Sequence, residues 1–240
     1  MRLLLCSDLY AEPEKVRGII AAGINERVDL VCVAGDLIDF NASKIGPQCN
    51  YVRAMLSDPT TELSFAVCSG NHDFFAGDGT PHDGVVPIWM KQLGEVPDGH
   101  TKRVARNGEE IIVTTVPYPM DDGPAWQYCT RGILTVGQYL ARRADCAWII
   151  LVHQPPNGSQ VGSGHTSLRA ELTSQILAQY KPEYLLCGHI ESPESENGAW
   201  CEGVSDSVVF NAGQAPGGAE PQYIILNIQG CGWKADHSHY

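Results

Sequence analysis

The chain has 240 residues, 43% of them hydrophobic, with a formal net charge of −12 and an isoelectric point near 5.0. That length suits one α/β domain, and no Pro/Ser/Gly-rich linker or charge block divides it. The acidic balance excludes a sequence-independent nucleic-acid binder, which needs a basic face, but not an anionic substrate, because bound cations reverse a local field.

Arg2–Cys6 (RLLLC) reads as a buried strand, a short apolar run closed by polar residues. Pro13 suits the first turn of a helix whose apolar face is Val16, Ile19, Ile20 and Ile24. Leu30–Ala34 and Phe65–Cys68 are two further buried strands, with a helix or irregular connection over 41–59 between them. Thr101–Ala105 and Glu110–Thr115 flank Arg106-Asn107-Gly108, a hairpin signal. Leu134–Ala144 is helical and Trp148–Val152 is another buried strand. Ser167–Tyr180 reads as an amphipathic helix with Ser167 as cap, Leu168, Leu172, Ile176 and Leu177 on one face, and Pro182 as its stop. Tyr184–Cys187, Ser207–Asn211 and Tyr223–Asn227 complete the strands, and 234–240 reads as a flexible polar tail. Strand–helix alternation followed by a β-rich end implies a layered α/β protein with at least one mixed sheet.

The opening run MRLLLCSDLY is too short for a leader and reaches an aspartate at once, and no stretch approaches transmembrane length. The nine cysteines are scattered without a CxxC pair, which suits reduced thiols. The expectation is a cytoplasmic protein without membrane insertion. Oligomeric state is not legible.

The chemistry gathers where strands end. In chain order the ends carry Ser7-Asp8-Leu9-Tyr10, Gly35-Asp36, Gly70-Asn71-His72-Asp73, His153, and Gly188-His189-Ile190-Glu191. Open α/β folds bind ligands beyond the carboxyl ends of their strands. Glycine at such an end lets the backbone turn sharply beside a ligand. Carboxylate, amide oxygen and imidazole together suit a first-row metal better than calcium or a thiolate site. A carboxylate such as Asp36 has two oxygens with which to bridge a pair of ions, and such a pair can hold a phosphoryl group and acidify a water.

These five ordered motifs resemble those of the calcineurin-like metallophosphoesterases, whose pattern is D-x-H, G-D, G-N-H-[DE], a lone His and G-H-x-H. The match runs from Asp8 to Glu191. The resemblance implies a four-layer αββα sandwich with two mixed β-sheets and a dinuclear centre between them. It implies hydrolysis of a phosphomonoester or phosphodiester by a metal-bound hydroxide, with a phosphate ester as the partner molecule. By the same resemblance Asp36 bridges the ions, and Asn71, His153 and His189 complete one site. His72 protonates the leaving oxygen or stabilises its charge, with Asp73 orienting its ring.

Two positions depart from the pattern: Tyr10 stands where the family has the His of D-x-H, and Glu191 where it has the second His of G-H-x-H. In the family both belong to the same ion, the one shared by Asp8 and Asp36. Three readings follow. The favoured one rebuilds the position with Asp8, Asp36 and Glu191 as oxygen ligands and Tyr10 as a further ligand or substrate contact. Two ions, Mn or Fe before Mg or Zn, would then be bound. In the second that position is empty and one ion works alone. In the third the fold has lost catalysis and acts as a binding or scaffold module. His165, in GSGHTS, is a possible substrate contact or a plain loop histidine. Asp39, three after Asp36, reads as a turn or supporting residue. His82, His100, His237 and His239 are assigned nothing, and specificity is expected in loops 41–59, 74–87, 117–131 and 157–166.

Overall fold

The computed structural model describes residues 1–39, 44–74, 85–120, 123–191, 199–214, 220–229 and 232–238. His82 and His239, with parts of the first three specificity loops, lie outside the described residues.

Two mixed sheets pack face to face. The first contains β1 (Arg2–Cys6), β2 (Leu30–Ala34), β3 (Phe65–Cys68), β10 (Ile224–Gln229) and β11 (Gly232–His237), in the order β11-β10-β1-β2-β3. Its β1, β2 and β3 run parallel, while β10 and β11 are antiparallel additions. The second contains β4 (Thr101–Arg106), β5 (Glu109–Thr115), β6 (Ala147–Leu151), β7 (Tyr184–Cys187), β8 (Cys201–Val204) and β9 (Ser207–Asn211), ordered β4-β5-β6-β7-β9-β8. Its central strands are parallel and its two edges antiparallel.

Alternation along each strand sends one set of side chains between the sheets and the other outward. Leu3, Leu5, Cys32, Ala34, Val113, Ile149, Leu151, Leu186 and Phe210 form the layer between the sheets. Outside the first sheet, Leu4, Cys6, Val31 and Val33 pack on α1 (Pro13–Asn25) and α2 (Ile45–Leu56). Outside the second, Ile112, Trp148, Ile150 and Leu185 pack on α3 (Pro124–Ala144) and α4 (Leu168–Tyr180). The result is a four-layer αββα sandwich. Truncating one of its enclosed leucines, such as Leu186, to alanine costs about 2–5 kcal/mol.

Local chemistry explains most boundaries. Pro13 opens α1, and Asn107-Gly108 turns the β4–β5 hairpin with positive φ at both residues (52° and 81°), as a primed two-residue turn requires. The Ser167 hydroxyl accepts the Ala170 N–H at 3.0 Å and caps α4.

Several expectations are corrected. In α1 Gly23 takes the inward position beside Leu63 and Val31, and Ile24 is 48% exposed. In α4 Leu168 is 81% exposed in the first turn, and the buried face is Ala170, Thr173, Ile176, Leu177 and Tyr180. Helix α3 begins at Pro124, ahead of the expected Leu134. Residues 232–237 are not a tail: they pair with β10, and the buried His237 ring nitrogen Nε2 meets the Ala212 carbonyl at 2.9 Å. Every second residue of this edge strand can be polar because one face meets water. The eight described cysteines are free. No helix among the described residues is long and apolar enough to cross a membrane.

Candidate metal centre

The parallel strands of both sheets release the chain at one end of the sandwich. Asp8 follows β1, Asp36 follows β2, and Asn71 and His72 follow β3; His153 follows β6, and His189 and Glu191 follow β7. Asp8, Asp36 and His189 sit at positive φ (54°, 54° and 68°), a costly conformation for residues other than glycine. The first two are held there by backbone bonds: Asp8 N–H donates to Gly35 O at 3.0 Å, and Tyr10 N–H donates to Asp36 O at 3.0 Å. Two glycines make room. A Cβ on Gly70 would lie 2.1 Å from Asp36 Oδ1, and one on Gly188 would lie 2.4 Å from Ser7 Cβ.

His153 is fully buried, and its Nδ1 donates to the Ala34 carbonyl at 2.7 Å. That bond aims Nε2 at Asn71 Oδ1 (3.1 Å), His189 Nδ1 (3.2 Å) and Asp36 Oδ2 (3.3 Å). His189 Nδ1 also faces Asn71 Oδ1 at 3.1 Å. Ligand atoms about 2.0–2.2 Å from a common ion stand roughly 3.0–3.5 Å apart, depending on coordination number. The spacings match that shell, and the set, oxygen and imidazole nitrogen, matches a first-row divalent ion. Among the described residues, Asp8, Asp36 and His153 also offer ligand atoms all within 4.8 Å of one another.

Electrostatics fit an ion-binding cluster. Burial pulls the His153 imidazole down, but Asp36, by charge and hydrogen bond, and Asp8 outweigh it and leave the ring raised to about 9. Without an ion, a proton therefore sits among these acceptors. Burial, reinforced by the His153 charge, lowers His189 to about 3 and keeps it neutral. Burial raises Asp8 to about 6, with Asp36 adding to it against His153. Burial works against ionised Asp36, yet the His153 charge and hydrogen bond hold its carboxyl below the usual range.

The His72 ring borders this cluster. Its Nε2 lies 3.8 Å from Asp36 Oδ2 and its Nδ1 3.6 Å from Asp39 Oδ1, while its backbone N–H donates to Asp36 Oδ1 at 2.8 Å. Burial lowers its pKa, against the pull of Asp36 and Asp39. Asp73, expected to orient this ring, is engaged elsewhere. Its carboxylate accepts backbone N–H groups from Asp36 (3.0 Å), Leu37 (3.0 Å), Ile38 (3.2 Å) and Gly70 (2.8 Å). The acid opposite Nδ1 is Asp39, and its place in the chain, three after Asp36, is the signal that sequence offers for it.

The two positions that depart from the motif pattern meet. The Tyr10 hydroxyl donates to Glu191 Oε1 at 2.8 Å and lies 3.4 Å from Asp8 Oδ1. Burial, then the charges of Asp8 and Asp36 and the bond to Glu191, push the phenol far above its ordinary pKa. The Tyr10 ring leans on His72 with centroids 4.9 Å apart, and the Lys15 ammonium lies 5.7 Å from its centre. On the opposite rim Tyr118 meets His153 edge-on at 5.8 Å, and the Arg169 guanidinium covers Tyr118 at 5.3 Å. His165 is exposed in the loop before α4, near enough to His189 for their charges to interact. His100 and His237 belong to packing elsewhere.

A family model described as calcineurin-like phosphoesterase matches residues 1–193. No curated protein sequence matches the chain. Among solved structures, TT1561 of Thermus thermophilus superposes with a TM-score of 0.63 at 16% identity, over 98% of this chain and 97% of that one. A dimetal phosphatase from Danio rerio gives 0.56 at 10% identity, over 98% and 95%. GAP50, described as the anchor in the inner membrane complex of Plasmodium, gives 0.54 at 12% identity, over 94% and 80%. At these identities the likeness shows the sandwich itself.

Proposed function

Because the chain belongs to the calcineurin-like phosphoesterase family, a family of metal-dependent hydrolases of phosphate esters, we propose that Asp36, Asn71, His153 and His189 hold the catalytic ion. The observation that carries this is the convergence of Asn71 Oδ1, His189 Nδ1 and Asp36 Oδ2 within 3.1–3.3 Å of His153 Nε2. An ion bound there supplies positive charge to the phosphoryl oxygens and acidity to a water. Mn or Fe suits the mixed oxygen and nitrogen set best.

The chain's own residues supply the rest. Asp36 turns Oδ2 to His153 and Oδ1 to the His72 amide, so one carboxylate sets the spacing between ligand cluster and proton donor. As water adds to phosphorus and the ester P–O bond breaks, His72 would give a proton to the leaving oxygen, and the proton released by the incoming water would restore the protonated ring. Asp39 faces the far side of that ring and favours its protonated form. Arg169, stacked on Tyr118, is a rim cation suited to a second anionic oxygen of the substrate. A cytoplasmic enzyme acting on a monoester or diester is the corresponding setting.

The test is hydrolysis of bis-p-nitrophenyl phosphate and p-nitrophenyl phosphate with Mn²⁺, Mg²⁺, Fe²⁺ or Zn²⁺. The wild type should turn over at least one of them, and the Asn71→Ala/His153→Ala variant neither. Wild-type rates equal to those of that variant with every metal would sink the enzymatic reading and leave a binding module.

A further inference from the structure

The geometry points to a hydrogen-bonded Tyr10–Glu191 clasp that replaces the second cation, so that this centre holds one metal ion per chain. This inference rests on the metal-binding reading above and deepens it. The two residues lie 181 positions apart and follow strands of different sheets, yet their side chains meet at 2.8 Å. The hydroxyl stands between two carboxylates, Glu191 Oε1 at 2.8 Å and Asp8 Oδ1 at 3.4 Å. A phenolic proton shared in this way does locally what a cation would do: it gives two acceptor-only groups a positive end to face.

Both halves of the clasp are anchored. Tyr10 lies in a left-handed turn (φ 51°) pinned by Tyr10 N–H to Asp36 O (3.0 Å) and Ala11 N–H to Leu37 O (2.7 Å). Its ring is wedged between His72 at 4.9 Å and the Lys15 ammonium at 5.7 Å. On the other side the Glu191 carbonyl accepts the Gln214 N–H. The remaining oxygen of Asp8, Oδ2, accepts the His189 backbone N–H at 3.1 Å. An ion entering here would have to break the Tyr10–Glu191 bond and displace the phenolic hydroxyl from between the two carboxylates. The nearby cluster around His153 Nε2 needs no such rearrangement, since its donor set already stands at coordination spacing. The two departures from the motif are therefore one coupled exchange, a His pair for a Tyr–Glu pair, and neither works without the other.

The deciding measurement is metal content by inductively coupled plasma mass spectrometry, after loading metal-free protein with Mn²⁺ or Zn²⁺ and removing free ion. The clasp predicts one ion in the wild type and two in Tyr10→His/Glu191→His. Tyr10→Phe, which removes only the hydroxyl, should take up a second, weaker ion through Asp8, Asp36 and Glu191, and it decides the matter if the double variant does not fold. Wild type loaded with Fe³⁺ should show no tyrosinate charge-transfer band in the visible spectrum. Two ions in the wild type, or such a band, overturns the clasp and leaves the phosphoesterase reading standing. No ion at all overturns both. A folded double variant that still binds one ion, or a Tyr10→Phe variant that shows no second binding step in a calorimetric titration carried to millimolar Mn²⁺, also overturns it.

Discussion

The Asp73 carboxylate accepts the Asp36 backbone N–H at 3.0 Å, and with the same two oxygens gathers the amides of Leu37, Ile38 and Gly70. It is the buried tie between the turns after β2 and β3, and it sets where the Asp36 side chain points.

Replacing it with an amide turns one acceptor into a donor that faces N–H groups. Asp73→Asn should cost about 1–3 kcal/mol of stability, the scale for leaving a buried N–H group without its acceptor. Urea unfolding of the metal-free protein checks this. The pH at which His72-dependent activity rises or falls should stay in place in the variant that remains folded. A moved pH limb with unchanged stability would return Asp73 to the orienting role.

Asp39 should behave in the opposite way. It is 48% exposed at the side chain and faces His72 Nδ1 at 3.6 Å, so it supports the protonated ring without holding the fold. Asp39→Asn should leave the melting temperature nearly unchanged, because exposed pairs contribute about 0–1 kcal/mol. It should move the His72 limb of the kcat/KM profile to lower pH. An unmoved limb would remove Asp39 from the mechanism.

Without metal, the fold should weaken as pH rises. The folded-state pKa of His153 is raised from 6.5 to about 9, so its contribution is complete below 6.5 and is lost as pH climbs through 9. The size is about 3 kcal/mol, or a fall in Tm of about 6–12 °C for a chain of this length. Thermal melts in chelator between pH 6.5 and 9 measure it. Saturating Mn²⁺ replaces the proton and should abolish the fall. A flat metal-free curve would show that His153 carries no bound proton.

How much of this was readable follows the range of the interactions. The strand ends at Asp8, Asp36, Asn71, His153 and His189 announce themselves locally, as apolar runs stopped by a polar residue, and the layered fold follows from their order. The hairpin at Asn107-Gly108 and the Ser167 cap are equally local. Edge strands β8 and β11 were hidden because CEGV and GWKADH bury too little to show a pattern. Adjacency to His72 suggests a dyad for Asp73, whereas the turn sends its carboxylate back to the main chain. The Tyr10–Glu191 contact joins distant residues, and no local pattern contains it.

Gly70→Ala should separate fold from site. The added methyl would meet Asp36 Oδ1 at 2.1 Å and Asp36 N at 2.5 Å, so the turn that presents this carboxylate must move. Displacing one ligand of a small ion should weaken metal binding about 10–100-fold, the range seen when supporting contacts of a metal site are lost. Competition with a chromophoric chelator reads this, and circular dichroism should show the sheets intact. Unchanged affinity would mean that Asp36 is not a ligand.

The proposed ligand cluster draws Asp36 and Asn71 from the ends of one sheet's strands and His153 and His189 from the ends of the other's. An ion there would be a rivet through the seam of the sandwich. Most of the layer between the sheets is non-directional apolar packing, and at this end it is crossed by a few hydrogen bonds, from His153 to the Ala34 carbonyl, from the His189 amide to Asp8 and from Tyr10 to Glu191. Coordination has direction, so filling the centre fixes how far one sheet can slide over the other. Chelation should therefore be felt first as loosened amide protection at the ends of β2, β3, β6 and β7, while the far edges of both sheets stay closed.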